Sequence, residues 1–492
     1  MRFQHDPEGR RLPVKLDSTT NGEFAPIPLE PVHHRANAAA TEAAARHAKK
    51  LGRSRREFLV SACGAATSLL AMNAAYAAAG RRGGYYALPQ EAALDAPLAQ
   101  AALGKSEFIF DVQGHFVNPS GAWTQGLPSD ARPLSWAPKT DCPLADEPGT
   151  RSYLQCLSGD ELIKDVFLDS DTDLMVLSFV PSTYESEPLK IEEAAATARI
   201  VEKLDGSHRL FLHARVNPNQ QGDLERMDAL AARYPISAWK TYTQWGPDGR
   251  GFFLDDAAGI AMIERARKLG IRNVAVHKGL PFGPRSYEHS TCVDVGRIAK
   301  RYPDVNFLIY HSGFVPGATE GAYDESREDG IDALITSLRA NDVKPGGNVY
   351  AELGSTWRYL MRDPDAAAHG LGKLLKYCGE DNVLWGTDSI WYGSPQDQIQ
   401  AMRTFQIAEE LRARHGYPEI TPALRAKIFG LNALKIYDVP ADVLNQHLPR
   451  DAIARARENY RERPDPSFLT YGPRTRREFL NLRRWETAQT AV

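Results

Sequence analysis

Four side chains that can bind a metal or carry a proton follow directly after short apolar runs of the sequence: His115, His277, His311 and Asp388. Neutral imidazoles and carboxylates are the ligands of catalytic zinc sites, which leave one coordination position open for water. Such a metal lowers the pKa of its water to about 7 or polarises a substrate carbonyl. Because one histidine after a strand is usually structural, the prediction depends on several of them sharing this position.

These residues lie far apart in the sequence and meet only if the fold brings their strands together. From Phe108 onward, short apolar runs alternate with longer amphipathic segments, which is typical of βα units and a parallel sheet. About eight units favour a (β/α)₈ TIM barrel with a long insertion after strand 1 and a helical C-terminal extension. A doubly wound nucleotide-binding sheet is disfavoured, because no glycine-rich loop follows the first strand. In a barrel the carboxyl ends of the strands meet at one mouth, which would bring the four side chains together.

The periodicity predicts the bounds of individual elements. The predicted strands are Phe108–Val112, Leu174–Phe179, Leu210–Arg215, Ile236–Thr241, Asn273–His277, Val305–Tyr310, Asn348–Leu353 and Asn382–Gly386. The predicted helices include Glu192–Leu204, Leu224–Tyr234, Ala257–Leu269, Val293–Tyr302, Ile331–Asn341 and Ala366–Cys378. Thr421 before Pro422 predicts the start of a final helix, since proline is well tolerated at the first helical position.

Composition excludes several classes of protein. The 492 residues include 59 lysines and arginines and 62 aspartates and glutamates, a net charge of −3, which argues against a nucleic-acid-binding protein. The five cysteines are too few for a disulfide scaffold and form no C-x-x-C pair. A bridge between Cys142 and Cys156 is compatible with an oxidising compartment, and free buried thiols are equally compatible. The composition predicts a globular, core-forming protein.

A twin-arginine sequence precedes the first long apolar stretch. Ser54–Leu59 reads SRREFL and is followed by an apolar run to Met72 and by small residues that form A-x-A sites within residues 75–79. These are the parts of a secretory signal, and paired arginines are typical of the Tat pathway, which exports folded proteins. We therefore expect a periplasmic protein that meets the Tat machinery and contacts the membrane only transiently. The alternative is an uncleaved signal anchor, and the preceding region of about fifty residues is unusually long for a signal.

The chain divides into five predicted parts. They are a polar N-terminal extension (1–53), the twin-arginine signal segment (54–80), a linker (81–106), the barrel (107–440) and a polar helical C-terminal extension (441–492). The stretch from Asn118 to about Gly159 is rich in Pro, Trp, Ser and Gly. Since it follows the first strand, it predicts either a lid at the barrel mouth or a surface insertion.

Several motifs occur together in a characteristic order. They are D-x-Q-x-H at 111–115, His277, YHSG at 310–313, WGTD at 385–388 and IFGLNA at 428–433. In this order they resemble the amidohydrolase-related (amidohydrolase 2) family, a branch of the amidohydrolase superfamily that includes aminocarboxymuconate-semialdehyde and resorcylate decarboxylases. The resemblance covers about Phe108 to Val439 and implies a TIM barrel that holds one divalent metal ion, usually zinc.

The resemblance also implies roles for the strand-end residues. His115, His277 and Asp388 would be the metal ligands, and His311 and Asp388 the catalytic residues that move protons or polarise a carbonyl. Gln113 occupies a ligand position where the family has histidine or, in some members, glutamate. Because an amide oxygen is a weak, neutral ligand, the site would hold its metal less tightly, use a harder ion, or lack one.

Three further residues are predicted to line the substrate pocket. Lys240 lies near the end of strand 4, where binuclear members of the superfamily have a carboxylated lysine that bridges two metals. Gln113 argues against bridging, which leaves a lysine that binds substrate or supports the barrel mouth. His213 on strand 3 is a second candidate. Arg358 is a third, since a guanidinium group can pair with a substrate carboxylate.

The motifs are compatible with three functions. The first is a metal-dependent hydrolase that uses activated water to attack a small-molecule amide, ester or lactone. The second is a non-oxidative decarboxylase of an aromatic or unsaturated acid, which would use the same ligands. The third is an exported, non-catalytic binding protein on a metal-free barrel, for which Gln113 is the supporting feature.

Overall fold

The computed structural model describes residues 3–124, 152–205, 209–281, 286–440 and 442–480, and it contains an eight-stranded parallel sheet whose strands pair in chain order. The eight strands of this sheet are β2 to β9, and β1 forms a separate antiparallel pair with β10. In chain order the strands are β1 (Gly84–Tyr86), β2 (Phe110–Gly114), β3 (Leu174–Leu177), β4 (Leu210–Arg215), β5 (Ile236–Tyr242), β6 (Asn273–His277), β7 (Asn306–Tyr310), β8 (Val349–Glu352), β9 (Val383–Leu384) and β10 (Phe405–Ile407). The Val112 N–H donates to the Trp385 carbonyl at 3.0 Å, and a parallel bridge joins Gly114 to Ser389. These contacts link β2 to the chain at β9, so the sheet forms the predicted barrel.

The helices of the described residues follow the predicted alternation after β3. They are α1 (Pro31–Lys50), α2 (Arg55–Val60), α3 (Ala62–Ala78), α4 (Ala96–Leu103), α5 (Gly159–Leu162), α6 (Ile191–Asp205), α7 (Asp223–Arg233), α8 (Ala257–Lys268), α9 (Tyr287–Ser290), α10 (Val295–Arg301), α11 (Gly330–Ala340), α12 (Thr356–Leu360), α13 (Pro364–Tyr377), α14 (Gln396–Thr404), α15 (Glu409–His415), α16 (Pro422–Ala426), α17 (Asn432–Ile436) and α18 (Ala452–Glu462). The predicted helices match α6, α7, α8, α10, α11 and α13 to within two residues at either end. Thr421 caps α16 as predicted, because its side chain accepts the Leu424 N–H.

Alternation along the strands explains how the barrel interior is filled. Val112, Val176, Ala275, Leu308 and Leu384 are fully buried and belong to one apolar cluster. On β3, β6, β7 and β9 the sequence neighbours of these residues belong instead to the larger core. Small and branched side chains therefore close the barrel below the mouth, so the polar strand ends stand on a packed floor.

The predicted signal segment is part of the folded body. Helices α1, α2 and α3 pack against one another, and Phe58, Leu69 and Met72 are buried in the main core. The second arginine of the twin pair, Arg56, is 1% exposed. Among the described helices, none combines the length and apolarity needed to cross a membrane.

The N-terminal and C-terminal extensions contact each other. Arg56 lies 3.3 Å from the carboxylate of Asp465 and donates to the Pro466 carbonyl. The Thr20 N–H donates to the carbonyl of Pro473 at 2.9 Å. The two ends of the chain, which were predicted as separate extensions, therefore form one layer on the barrel.

A ten-residue segment of the N-terminal extension, residues 15–24, runs over the barrel, and we call it the strap. Lys15 donates from Nζ to the carbonyls of Tyr392 (2.7 Å) and Ser394 (2.5 Å), in the chain that follows β9. The Tyr359 hydroxyl donates to the Thr19 carbonyl at 3.0 Å. These contacts attach an irregular segment to the loops around the mouth.

Two predictions fall largely outside the described residues. Residues 125–151 of the predicted lid are among those that the structure does not describe, and so is Cys142. Cys156 is disulfide-bonded. Cys292 and Cys378 are free and buried.

Candidate active site

The four predicted strand-end residues are brought together at the carboxyl ends of the barrel strands. His115 follows β2, His277 ends β6, His311 follows β7 and Asp388 follows β9, and each is at most 3% exposed. His115 Nε2 lies 3.2 Å from Asp388 Oδ1. The ring centroids of His277 and His311 are 4.4 Å apart. The structure therefore brings these side chains to the same end of the barrel, while the role of each residue stays a prediction.

Gln113 lies at the centre of this group. Its Nε2 donates to Asp388 Oδ1 at 3.1 Å and lies 3.4 Å from Nε2 of both His115 and His311. In this arrangement the amide nitrogen of Gln113 faces Asp388, His115 and His311 as a hydrogen-bond donor.

Backbone carbonyls determine which nitrogen of two histidines is available. His115 Nδ1 lies 3.1 Å from the Ser178 carbonyl, and His311 Nδ1 lies 2.6 Å from the Gly354 carbonyl. Since a carbonyl only accepts, each Nδ1 carries a proton, and Nε2 of His311 presents its lone pair to the site. Metal-binding histidines are oriented in this way. Burial also lowers the pKa of His311 to about 4, which keeps its ring neutral.

The surroundings of His277 suit a metal ligand. It is fully buried, and neither ring nitrogen has a hydrogen-bond partner of good geometry among the described residues. Its ring stacks on Tyr242 with centroids 4.5 Å apart, and burial lowers its pKa well below the usual value. Buried polar nitrogens are nearly always satisfied, and a neutral imidazole can offer the lone pair of one nitrogen to a cation, so His277 fits the role of a metal ligand.

One carboxylate near His277 comes from the strap. The ligand atoms of Glu23, His277 and His311 all lie within 4.8 Å of one another, and all three residues are buried. Glu23 Oε1 is 3.5 Å from His277 Nδ1. Two neutral imidazoles and a carboxylate suit a divalent ion such as zinc, so the donors present fit the metal that the motifs predict.

Asp388 is held as a carboxylate by polar neighbours. Ser355 donates from Oγ to its Oδ2 at 2.5 Å, and Asn21 of the strap donates from Nδ2 to the same oxygen at 2.8 Å. Burial alone would raise the pKa of Asp388, but the hydrogen bond from His115 and the nearby imidazoles lower it below its usual range. Asp388, His311 and Ser355 all have positive φ, of 58°, 66° and 54°. Non-glycine residues tolerate this conformation only where the surrounding structure imposes it, as at functional sites.

A buried glutamate positions His311. Glu352 accepts the backbone N–H of His311 at 3.0 Å and that of Gly354 at 2.6 Å, and burial raises its pKa to about 8. A Cβ at Gly386 would lie 1.6 Å from Glu352 Oε1. The glycine in the WGTD motif is therefore required because the glutamate occupies the space of a side chain.

Two of the predicted substrate-binding residues point into the barrel. Lys240 is fully buried without a hydrogen-bond partner among the described residues, and its Nζ lies 3.5 Å from the ring centroid of Tyr310. Burial lowers the pKa of Lys240 to about 7. His213 Nε2 lies 3.0 Å from the hydroxyl of Tyr437, which belongs to the apolar cluster inside the barrel. Among the described residues, Lys240 Nζ and the other ring nitrogen of His213, Nδ1, make no hydrogen bond.

The third predicted substrate-binding residue is already paired. Arg358 is 1% exposed, with NH2 2.9 Å from Asp17 of the strap and NH1 3.4 Å from Asp397. One end of its guanidinium group therefore pairs with the strap and the other with α14 in this structure. A substrate carboxylate would have to displace Asp17 to reach Arg358.

Comparison of the chain with known proteins identifies its family. The family model Amidohydro_2, described as amidohydrolase, matches residues 165–439, which is more than half of the chain. The chain belongs to the amidohydrolase family. The match spans β3 to β9 and includes His277, His311 and Asp388, whereas β2 and the strap lie before it. A comparison with curated proteins finds no match.

Solved structures of other barrels resemble the chain distantly. The 2,6-dihydroxybenzoate decarboxylase from Rhizobium is 15% identical, with a TM-score of 0.40, covering 68% of this chain and 99% of that chain. The IDCase of Metarhizium anisopliae in its apo form is 16% identical, with a TM-score of 0.38, covering 67% and 97%. An amidohydrolase from Mycobacterium avium subsp. paratuberculosis K-10 is 14% identical, with a TM-score of 0.38, covering 69% and 100%. At these scores the likenesses add nothing to the family match.

Sequence reasoning missed the contribution of the strap. Asn21 and Glu23 lie before the twin-arginine segment, in a stretch without helical or strand periodicity. The one signal present was the pairing of polar Asn21 and Glu23 around Gly22, which adopts φ of 92°. Such a short pattern is typical of many surface turns, so it could not have indicated a site.

Proposed function

We propose that this amidohydrolase-family protein is a metal-dependent hydrolase that acts on a small-molecule amide, ester or lactone at the barrel mouth. The observation that supports it most is the group of three imidazoles and one ionised carboxylate at the strand ends. Family membership alone supports an enzyme of this superfamily and leaves the reaction open. Hydrolysis is preferred because the site offers an ionised base next to two oriented imidazoles.

The residues that would hold a divalent cation are His277 and His311, with a carboxylate beside them. When bound, the cation would polarise a carbonyl and make water acidic enough to be deprotonated near neutral pH. His311 is oriented for this role because its Nδ1 is committed to the Gly354 carbonyl. The predicted ligands His115 and Asp388 lie next to this group and contact each other.

Asp388 would act as the general base. Its carboxylate accepts from Gln113 on Oδ1 and from Ser355 on Oδ2, so its orientation is fixed before substrate arrives. It would take a proton from the attacking water and pass it to the leaving group. His115, 3.2 Å from Oδ1, would stabilise the proton in transit. Lys240, with its unpartnered Nζ, would meet a polar group of the substrate inside the mouth.

A substrate panel with controlled metal content tests this proposal. The purified chain would be stripped with a chelator, reconstituted with Zn²⁺ or Mn²⁺, and assayed on amides, esters and lactones, with carbon dioxide release from aromatic acids followed in parallel. Metal-dependent hydrolysis supports the proposal. Metal-dependent release of carbon dioxide without hydrolysis would replace it with a carboxy-lyase. A chain that binds small molecules but turns over none would replace it with a binding protein.

The twin-arginine segment supports a separate proposal about location, namely export of the folded chain through the Tat pathway to the periplasm. The usual test replaces both arginines by lysine, but Arg56 is buried and its loss would also affect folding. Among the described residues, Arg55 donates to the Glu8 carbonyl, at 2.9 and 3.2 Å, near the surface. Arg55→Lys is therefore the cleaner variant, and normal export of it would contradict the proposal.

A further inference from the structure

We propose that Glu23 of the strap is a ligand of the catalytic cation and takes the place of the imidazole that Gln113 cannot supply. This inference rests on the proposed function, since it concerns the same site. It assigns part of the metal centre to a segment that lies before the family domain and before the twin-arginine sequence.

The geometry places a strap carboxylate against a buried histidine whose ring nitrogens make no hydrogen bond of good geometry among the described residues. Glu23 is 7% exposed, and its Oε1 lies 3.5 Å from Nδ1 of His277. His277 is fully buried, and its ring nitrogens are orphaned among the described residues. Because the ligand atoms of Glu23, His277 and His311 lie within 4.8 Å of one another, one ion can contact all three.

Asn21 ties the strap carboxylate to the carboxylate of the barrel. Its Nδ2 donates to Glu23 Oε2 at 2.6 Å and to Asp388 Oδ2 at 2.8 Å. Its Oδ1 accepts the backbone N–H of Glu23 at 3.0 Å. One amide therefore holds two like charges close together, which is favourable when a cation lies near both.

The rest of the strap is fixed firmly enough to present a ligand. Asp17 pairs with the buried Arg358 at 2.9 Å, and Thr19 donates from Oγ1 to Thr470 at 2.8 Å. Phe24 packs edge-on against the ring of Tyr359, with centroids 5.0 Å apart. These contacts lie on both sides of Glu23, so its carboxylate is positioned by the fold and is not carried on a free tail.

The charges at the site agree with this assignment. Gln113 adds no charge. Its amide nitrogen, which cannot bind a cation, faces His115, His311 and Asp388, so Gln113 is poorly suited to be a ligand in this orientation. Glu23 and Asp388 together supply two negative charges, which balance one divalent ion. Without Glu23 only Asp388 would offset the ion's charge among these residues, at a buried site where unbalanced charge is costly.

The assignment has a consequence for processing of the chain. Cleavage at an A-x-A site within residues 75–79 would remove the strap, and Glu23 with it. A mature enzyme that uses Glu23 must keep its N-terminal residues. The twin-arginine segment then stays attached, as part of the layer formed by α1, α2 and α3.

Metal affinity of variants of the full chain tests the role of Glu23. We would titrate stripped protein with Zn²⁺ in a calorimeter and measure bound zinc by mass spectrometry, comparing wild type with Glu23→Gln and Glu23→Asp. Glu8→Gln is the matched control, because Glu8 lies on the same N-terminal segment with a 63% exposed side chain. We expect Glu23→Gln to weaken zinc binding at least as much as loss of an outer-shell partner does, on the order of 10- to 100-fold. Glu23→Asp should be intermediate and Glu8→Gln unchanged.

The outcomes separate this inference from the proposed function. If Glu23→Gln and Glu23→Asp bind zinc like wild type while His277→Ala does not, the metal centre stands and Glu23 is not a ligand. If wild type binds no divalent ion, the proposed function fails first. If Glu23→Gln does not fold, Glu23→Asp decides, because a carboxylate withdrawn by one methylene cannot keep full affinity as a ligand.

Discussion

The two parts of the candidate site are built in different ways. His277 and His311 are carried by barrel strands whose backbone pairing fixes them, and His311 is further held by Glu352 and the Gly354 carbonyl. Glu23 is carried by a segment without regular structure, which side-chain hydrogen bonds and ion pairs attach to surrounding loops. The barrel residues keep their positions as long as the sheet exists. The strap residue keeps its position only while the two ends of the chain stay on the mouth.

This difference shows that residues outside a family domain can contribute to the candidate site of that domain. The family match begins at residue 165, yet Asn21 and Glu23 reach Asp388 and His277 from the other end of the chain. A barrel mouth is open by construction, because its loops must admit substrate. An additional segment can therefore supply a ligand there without disturbing the sheet.

The largest effect is expected from removing residues 1–80 altogether. The deletion exposes the surfaces that α3 covers on α4 and α14, and it also removes Asp17, the partner of the buried Arg358. Arg358 would keep Asp397 as a partner, but breaking a buried ion pair typically costs about 3–5 kcal/mol, a large part of the stability of a typical protein. We expect little soluble, cooperatively unfolding protein, as measured by expression yield and circular dichroism. A soluble barrel that binds zinc normally would show that the strap is dispensable.

The next largest effect is expected from replacing Asp388, the proposed general base. Asp388→Asn removes the ionised carboxylate, and general base catalysis typically contributes about 10²–10⁴-fold. We expect kcat/KM to fall about 1000-fold, within that range, on whichever substrate the panel identifies. Asp342→Asn is the matched control, because Asp342 also has φ of 58° but its side chain is 74% exposed. Equal losses in the two variants would mean that the backbone, and not the carboxylate, matters.

The twin arginines give a comparison within the N-terminal layer. Arg56 is buried between Asp6 and Asp465, whereas Arg55 is more exposed and, within the described part of the chain, donates to a backbone carbonyl. Arg56→Ala should lower the free energy of unfolding by about 3–5 kcal/mol. Arg55→Ala should lower it by about 1 kcal/mol or less. Urea denaturation of both variants checks this, and equal stability would mean that the pair serves export alone.

The smallest effect is expected from replacing Asn21, whose side-chain amide joins Glu23 of the strap to Asp388 of the barrel. Asn21→Ala leaves every proposed ligand in place but removes the link between Glu23 and Asp388. Outer-shell partners of metal ligands typically matter 10- to 100-fold, and we expect about 10-fold weaker zinc binding. Asn37→Ala is the control, since Asn37 donates to the strap at the Leu16 carbonyl, away from the site. A larger loss in the control would indicate that the strap as a whole is unstable.

The barrel and its strand ends could be predicted because their signals are periodic. β4 and β6 have the predicted bounds, since runs of apolar residues bounded by polar ones mark buried strands. His277 and Asp388 follow from the same logic, because a barrel brings strand ends to one mouth. The predicted ligand set is distributed differently in the structure: His277 groups with His311 and Glu23, while His115 and Asp388 contact each other and Gln113.

The strap and the N-terminal layer could not be predicted for physical reasons. Glu23 is placed by contacts between residues hundreds of positions apart, such as Asp17 with Arg358, and these leave no periodic pattern. The segment at 54–80 has the composition of a signal, and the same alanine-rich, apolar composition also makes a helix that packs closely, as α3 does. Arg358 was predicted to meet a substrate because its structural partner was unknown.

Anomalous X-ray diffraction at the zinc edge, from crystals of the full chain reconstituted with Zn²⁺, tests the central claim most directly. The account predicts one strong peak at the barrel mouth, about 2.0–2.2 Å from Glu23 and from a nitrogen of both His277 and His311. A peak bound by His115 and Asp388 with Glu23 turned away would contradict the assignment to the strap. A reconstituted crystal with no peak at the mouth would contradict the metal-dependent site itself.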